Sequence, residues 1–389
     1  MSQDRLYFDH AASAPLAPEA RRFFLERLAE ERSGQNSSSL HREGRRAHSL
    51  LEEARRRLAE ALGIQARDLY FCSGGTEANN WVLQGFCRRQ RQRGRRPVLF
   101  YSASEHQSVR QTARALETEG LVAEELPLGA DGLVDLAYLE ELLLRYSGPD
   151  WARLCSVHWA NNETGQIQPL AALRDCCQRC DCLLHSDAVA ALGELDLGPV
   201  LEQLDFFTAA GHKFGGPIGL GLLAMDEERA EQLSPLIYGG AQERGRRAGT
   251  QNAELAMATA LALEARLAVL SDRQKQTLAL REQLLLGLAS LEARGRCRVL
   301  DLEPVLASHL LLLTPLEGEQ ALRQLDRLGL AVSSGSACQA GQSEPSHVLL
   351  ALGYSHQEAQ QGIRICLDPS VHGPSAVERL LEGLERVLG

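Results

Sequence analysis

From Leu69 to Met225 short apolar runs alternate with helical stretches, and polar residues gather just after several of the runs. The runs are Leu69 to Cys72, Pro97 to Tyr101, Leu121 to Leu126, Leu154 to Trp159, Leu183 to Asp187, Phe206 to Ala209 and Gly219 to Met225. Strands that are apolar on both faces and separated by helices argue for a largely parallel sheet covered on both sides. In such sheets ligands bind beyond the carboxyl ends of the strands. Thr76, His106, Asn162, Asp187 and Lys213 all fall at those ends. Their convergence is stronger than any one of them.

The flanking regions read differently. A helix is expected at about 18–31, and a long charged one at about 41–62, ended by Gly63. Between them Ser33 to Ser39 reads equally as a functional loop or a linker. After Tyr238-Gly239-Gly240 a loop carries Arg244, Arg246 and Arg247, and two long helices follow at about 252–270 and 273–291. The remainder is α+β, with strands near 298–300, 310–313 and 363–366, a loop at 333–343 and a terminal helix at about 375–388. The expected class is α/β. A large domain (15–255) holds a mostly parallel seven-stranded sheet, and a smaller α+β domain is built from 1–14 and 256–389.

A chain of 389 residues can bury two substantial cores. A net charge of −10 argues against nucleic-acid binding by the surface as a whole. No apolar run approaches the roughly 20 residues that span a bilayer, and the start lacks a secretory h-region. The ten cysteines form no regular framework, so they read as reduced thiols in a cytoplasmic protein. Cys176, Cys177, Cys180 and Cys182 crowd together, but their spacing matches no standard zinc site, and no metal is expected.

Only two of the 41 basic side chains are lysines, Lys213 and Lys275. Lys275 sits in a polar helical stretch and reads as a solvated charge. Lys213 sits in Gly211-His212-Lys213-Phe214-Gly215, after a strand. A guanidinium cannot replace an amine that must act as a nucleophile, so a lysine retained there suggests Schiff-base chemistry. The alternative is a buried structural lysine. Ser73-Gly74-Gly75-Thr76 opens a helix, where backbone N–H groups and the helix dipole favour an anion. Thr76 could equally be an ordinary cap. Asp187 ends an apolar strand and needs a partner, which a pyridinium nitrogen or a following turn could supply. His106 could stack on a ring or cap a helix. Phosphate cup, lysine and acidic strand end together describe a pyridoxal 5'-phosphate site.

The chain resembles the cysteine desulfurases of the NifS/IscS type, within the fold-type I pyridoxal phosphate enzymes. The matching segments are Ser73 to Asn79, Ser104 to His106, His158 to Gly165, His185 to Asp187, Gly211 to Lys213, Gln242 to Thr250, Ser333 to Cys338, Glu344 to His347, and Ile363-Arg364. They stand in the family's order over nearly the whole length. The resemblance implies that Lys213 carries the cofactor and that Asp187 pairs with its ring nitrogen. His106 stacks on the ring and shuttles protons. Gly75, Thr76 and His212 bind the phosphate, and Thr250 reaches the phosphate of a partner subunit in a homodimer. Asn162 lies near the ring hydroxyl and substrate, and Asn36 and Arg364 hold the substrate carboxylate. Cys338 is the nucleophile that takes the sulfur of L-cysteine as a persulfide, leaving L-alanine. The sulfur would pass to an acceptor protein, as in iron–sulfur cluster assembly.

Two positions depart from the family pattern. Ala190 stands where a glutamine usually donates to the ring oxygen, and Ala210 where a serine often touches the phosphate. Both changes remove cofactor contacts. Two other readings compete: a related lyase acting on cystine or selenocysteine, and a partner-binding homologue without turnover. Cys338 favours the desulfurase over the first. Lys213, Asp187, Arg364 and Cys338 together argue against the second.

Overall fold

The computed structural model describes residues 5–30, 34–334 and 344–389. A short strand β1 (Leu6–Tyr7) and helices α1 (Pro18–Leu28) and α2 (Arg42–Leu62) precede the alternating region. There the elements are β2 (Leu69–Cys72), α3 (Gly75–Gln92), β3 (Arg96–Ser102), α4 (Gln107–Thr118), β4 (Val122–Leu126), α5 (Leu136–Arg145), β5 (Trp151–Ser156), α6 (Leu170–Arg179), β6 (Cys182–Asp187), β7 (Phe206–Ala210) and β8 (Gly221–Ala224).

All seven expected strands lie in one sheet, in the order β2-β8-β7-β6-β5-β3-β4. Strands β7, β6, β5, β3 and β4 run parallel to one another. β8 runs antiparallel to both β7 and β2. The fold is α/β, and the sheet is mostly parallel, as its composition required.

Side chains alternate across each strand, because successive residues point to opposite faces. Leu69 and Phe71, Val98 and Phe100, and Phe207 and Ala209 face α2, α5, α6 and a later helix, α8. Tyr70, Leu99, Tyr101, Leu154, Phe206 and Leu223 face α3 and α4, where Trp81, Phe86 and Val109 are buried. Burying one large apolar side chain contributes about 1.5–3 kcal/mol, so this two-faced sandwich dominates the stability of the region.

Beyond β8 come α7 (Glu227–Ala230), α8 (Ala253–Ala268) and α9 (Leu270–Ala293). Then follow β9 (Arg298–Val299), β10 (His309–Leu313), α10 (Gly318–Arg327), β11 (Leu330–Ala331), β12 (Ser333–Ser334), α11 (His347–Ala351), α12 (His356–Ala359), β13 (Gly362–Cys366) and α13 (Pro374–Leu388). A second sheet has the order β12-β13-β10-β9. Leu280, Leu284, Leu288 and Leu291 form a helically spaced stripe on α9, which buries against this sheet with Val377, Leu380 and Leu384 of α13.

The N-terminal segment connects the two sheets' surroundings. β1 pairs in parallel with β11, and Phe8 O accepts from Cys366 N at 2.8 Å. Further on, Ala14 N donates to His212 O at 2.9 Å and Ala17 N to Gly215 O at 2.8 Å. Residues 6–17 are thus held by both parts of the molecule.

Candidate cofactor site

A cavity of about 890 Å³ opens at the carboxyl ends of the parallel strands. Gly75 and Thr76 line it together with His212 and Lys213, and Asp187, His106, Asn162 and Arg364 border the same space. The residues singled out at the strand ends therefore meet in one space.

At the anion end, α3 begins without a side-chain cap on its N-terminus. Its first N–H groups are left to whatever occupies the space before them. Two glycines make that space. A Cβ on Gly75 would come within 2.7 Å of Val189 Cγ2. A Cβ on Gly221 of β8 would lie 2.5–2.6 Å from the backbone of Gly74. Glu77, one turn in, accepts from Ser73 N at 2.8 Å. It is neutralised by a two-pronged pair with Arg247, at 2.8 and 3.1 Å.

Lys213 follows β7 in a turn of 3-10 helix. Its Nζ donates to the carbonyls of Ala11 at 2.5 Å and Ala12 at 3.1 Å. Beside it, burial and then the Lys213 charge push His212 down to about 4, so its imidazole is neutral at pH 7.

Asp187 ends β6, only 6% exposed. Its Oδ1 accepts from Val189 N at 2.9 Å and its Oδ2 from Asn79 Nδ2 at 2.6 Å. His106 caps α4, accepting the backbone N–H of Ser108 at 3.1 Å, so the cap reading of this residue is part of the fold. It also borders the cavity, and the two readings are compatible. Ala190 and Ala210 line the same space.

Arg364 comes from β13 and is 2% exposed. Its Nη2 donates to Asp9 Oδ1 at 2.6 Å and its Nη1 to the carbonyl of Asn162 at 2.8 Å. Glu163, the next residue, is buried and accepts from Ser346 Oγ at 2.5 Å. Burial pushes the Glu163 carboxyl up to about 7, against the lowering effects of Ser346, Arg364 and His106.

Two named residues, both described, do not line this space. Asn36 is exposed, and its Oδ1 accepts from Ser38 N at 2.9 Å. Thr250 is exposed on the loop after the Glu243–Arg247 turn. Cys338 lies outside the described residues. Of the crowded cysteines, Cys176, Cys177 and Cys182 are buried in the core with Cys155, and Cys180 packs partly buried against it. Sequence reasoning missed Asp9, Ala11, Asn79, Ser108 and Glu163. Asn79 had one available signal, since it falls one helical turn after Gly75 and so on the same face of α3.

Comparison with known proteins agrees with this geometry. The aminotransferase class-V family model matches residues 6–371. An IscS-like cysteine desulfurase of Mycobacterium tuberculosis is 36% identical, with 98% of this chain and 95% of that protein covered. Among solved structures, a NifS-like protein superposes with a TM-score of 0.88 at 30% identity, covering 99% of each chain. A structure of SspA in complex with cysteine superposes at 0.77 and 28% identity, over 93% of this chain and 99% of that one. The chain belongs to the class-V aminotransferase family, with the fold-type I architecture, and within it to the NifS/IscS-like cysteine desulfurases.

Proposed function

We propose that the protein is a pyridoxal phosphate-dependent cysteine desulfurase, converting L-cysteine and the Cys338 thiol to L-alanine and a Cys338 persulfide. The observation that carries the reading is the meeting of three groups on one cavity: the amine of Lys213, the carboxylate of Asp187 and the uncapped start of α3. Those groups fit the cofactor. The α3 N-terminus, with Gly75, Thr76 and His212, would hold its phosphate. Asp187 would hold its ring nitrogen, and Lys213 its aldehyde carbon. When bound, the cofactor supplies an electron sink for an amino-acid Cα.

The chain's own residues supply the rest. Arg364 would bind the substrate carboxylate, joined by Asn36, and Asn162 would sit beside the substrate. Lys213 would move the Cα proton, and His106 would act as a proton carrier at the ring. Cys338, assigned by its motif, would take the substrate sulfur. Burial of Arg364 removes water from the carboxylate site, which strengthens its charge pairing.

Several features belong to the same proposal. The division into 15–255 and 1–14 with 256–389 separates the two sheets. Thr250, exposed on its own chain, would complete the phosphate site of a second copy, which makes the working unit a homodimer. An acceptor protein would receive the sulfur, with iron–sulfur assembly as one destination. No described helix is long and apolar enough to cross a membrane, and we place the enzyme in the cytoplasm. The test is incubation of the purified protein with L-cysteine, measuring alanine and protein-bound persulfide together. Equal amounts of both on first turnover are expected. Alanine without any persulfide would replace the desulfurase with a lyase, and neither product would refute the enzyme.

A further inference from the structure

Asn79 is 1% exposed and uses its whole amide. Nδ2 donates to Asp187 Oδ2 at 2.6 Å and to Ser108 Oγ at 2.8 Å. Oδ1 accepts from Thr208 Oγ1 at 2.6 Å. Turning the amide over would set Oδ1 against the Asp187 carboxylate, which already accepts on both oxygens. The direction of this amide is therefore fixed by Asp187.

The consequence runs outward in two directions. Ser108 Oγ accepts from Asn79, so its single hydrogen is available for His106 Nδ1, 2.8 Å away. The backbone N–H of Ser108 donates to the same nitrogen at 3.1 Å. His106 Nδ1 is then an acceptor twice over, and a neutral ring must carry its proton on Nε2. On the other side, Thr208 donates its one hydroxyl hydrogen to Asn79. His185 Nε2, 3.1 Å from Thr208 Oγ1, must therefore be protonated, and Ser156 Oγ donates to His185 Nδ1 at 2.8 Å. His185 is fully buried, and burial pushes it down to about 4, which agrees with a neutral ring.

We propose that Asn79 is a positioning residue: it holds the Asp187 carboxylate and, through Ser108, keeps His106 neutral with its proton on Nε2. The two groups expected to flank the cofactor ring are then oriented by one amide. The tautomer rests on hydrogen-bond geometry alone, while its catalytic meaning rests on the cofactor reading above. As a hydrogen-bond donor, His106 would act through Nε2–H.

The test uses full-length protein labelled with nitrogen-15 histidine, examined by long-range proton–nitrogen correlation near pH 7, with and without pyridoxal phosphate. His106 is assigned by the signal lost in His106→Gln. The expected wild-type pattern is Nε2 protonated and Nδ1 a hydrogen-bonded acceptor. A Nδ1-protonated ring overturns the proposal. In Asn79→Leu the Nδ1 signal should shift toward that of a less hydrogen-bonded nitrogen, and cofactor should dissociate at least about ten-fold faster, since a hydrogen bond to a charged group is lost. Ser108→Ala should move the same Nδ1 signal and leave cofactor dissociation within about two-fold, because it spares the bond to Asp187. If Asn79→Leu changes neither readout, Asn79 positions nothing. If wild-type protein binds no cofactor, the cofactor reading fails, and the histidine signals still decide the tautomer.

Discussion

Arg364 and Asp9 stand 355 residues apart in sequence and meet through Nη2 and Oδ1 at 2.6 Å. A guanidinium this buried needs an anion, and among the described residues Asp9 is the carboxylate that forms an ion pair with it. An incoming substrate carboxylate would meet an arginine already paired. Asp9→Asn keeps an acceptor for Nη2 and removes the competing charge. The expected result is a several-fold lower KM for L-cysteine with a lower melting temperature. Steady-state kinetics and thermal denaturation check it, and a raised KM would mean that Asp9 aligns Arg364 more than it competes for it.

Lys213 should be the attachment point of pyridoxal phosphate. Borohydride reduction of the yellow protein should leave a phosphopyridoxyl group on the peptide containing Lys213, and none on Lys275. Lys213→Arg should abolish both the label and turnover, because a guanidinium does not act as the amine must. Peptide mass spectrometry reads the outcome directly.

Glu163 makes stability depend on pH in a stated direction. Its ordinary value is 4.5, and burial raises it to about 7 in the fold. As pH rises, the unfolded chain loses this proton first. The contribution of Glu163 to stability is therefore full below about 4.5 and is lost by about 7. Glu163→Gln keeps an acceptor for Ser346 and cannot ionise. It should gain on the order of 1–3 kcal/mol relative to wild type between pH 5 and pH 8. Urea denaturation at both pH values measures the difference, and a constant difference would count against a raised Glu163.

Arg55 and Glu243 form a buried two-pronged pair at 2.8 and 2.9 Å. Glu243 also accepts from Phe71 N at 3.0 Å, so it pins the loop leading to Thr250 onto β2. Glu243→Ala leaves the buried Arg55 with the partly exposed Glu52 in place of its two-pronged buried partner and should cost up to about 3–5 kcal/mol. Arg55→Met combined with Glu243→Leu should recover a large part of that loss. Denaturant midpoints of the single and double variants provide the check.

The seven-stranded sheet was readable because strands buried on both faces must be largely apolar; the edge strand β4, with Glu124 and Glu125, departs from that pattern and is only partly buried. The reversed direction of β8 had a signal too. The 211–220 connection is shorter than the dozen or more residues that a parallel crossover needs. Lys213 and Asp187 stood out because an amine and a carboxylate are unusual at the ends of apolar strands. Asn79 did not, because its importance lies in Asp187, Ser108 and Thr208, contributed by β6, α4 and β7. Beyond its place one helical turn after Gly75, no local pattern announces an amide whose partners come from three other elements. The bond between Asp9 and Arg364 was equally hidden, since the pairing of distant segments is a property of the finished fold. The crowded cysteines at 176–182 misdirect in the opposite way: their proximity in sequence reflects a helix end and a strand start that share one core.

The N-terminal segment also sets a timetable. Translation delivers Phe8 through Ala12 long before their neighbours at Ala331, Arg364 and Cys366. At about 5–20 residues per second, the ribosome needs tens of seconds to bring the two together. During that interval the central sheet can assemble, while the cavity still lacks Arg364. The pocket is therefore completed only after β13 has left the ribosome, and a nascent chain halted before residue 364 would present Lys213 in a pocket that lacks its arginine.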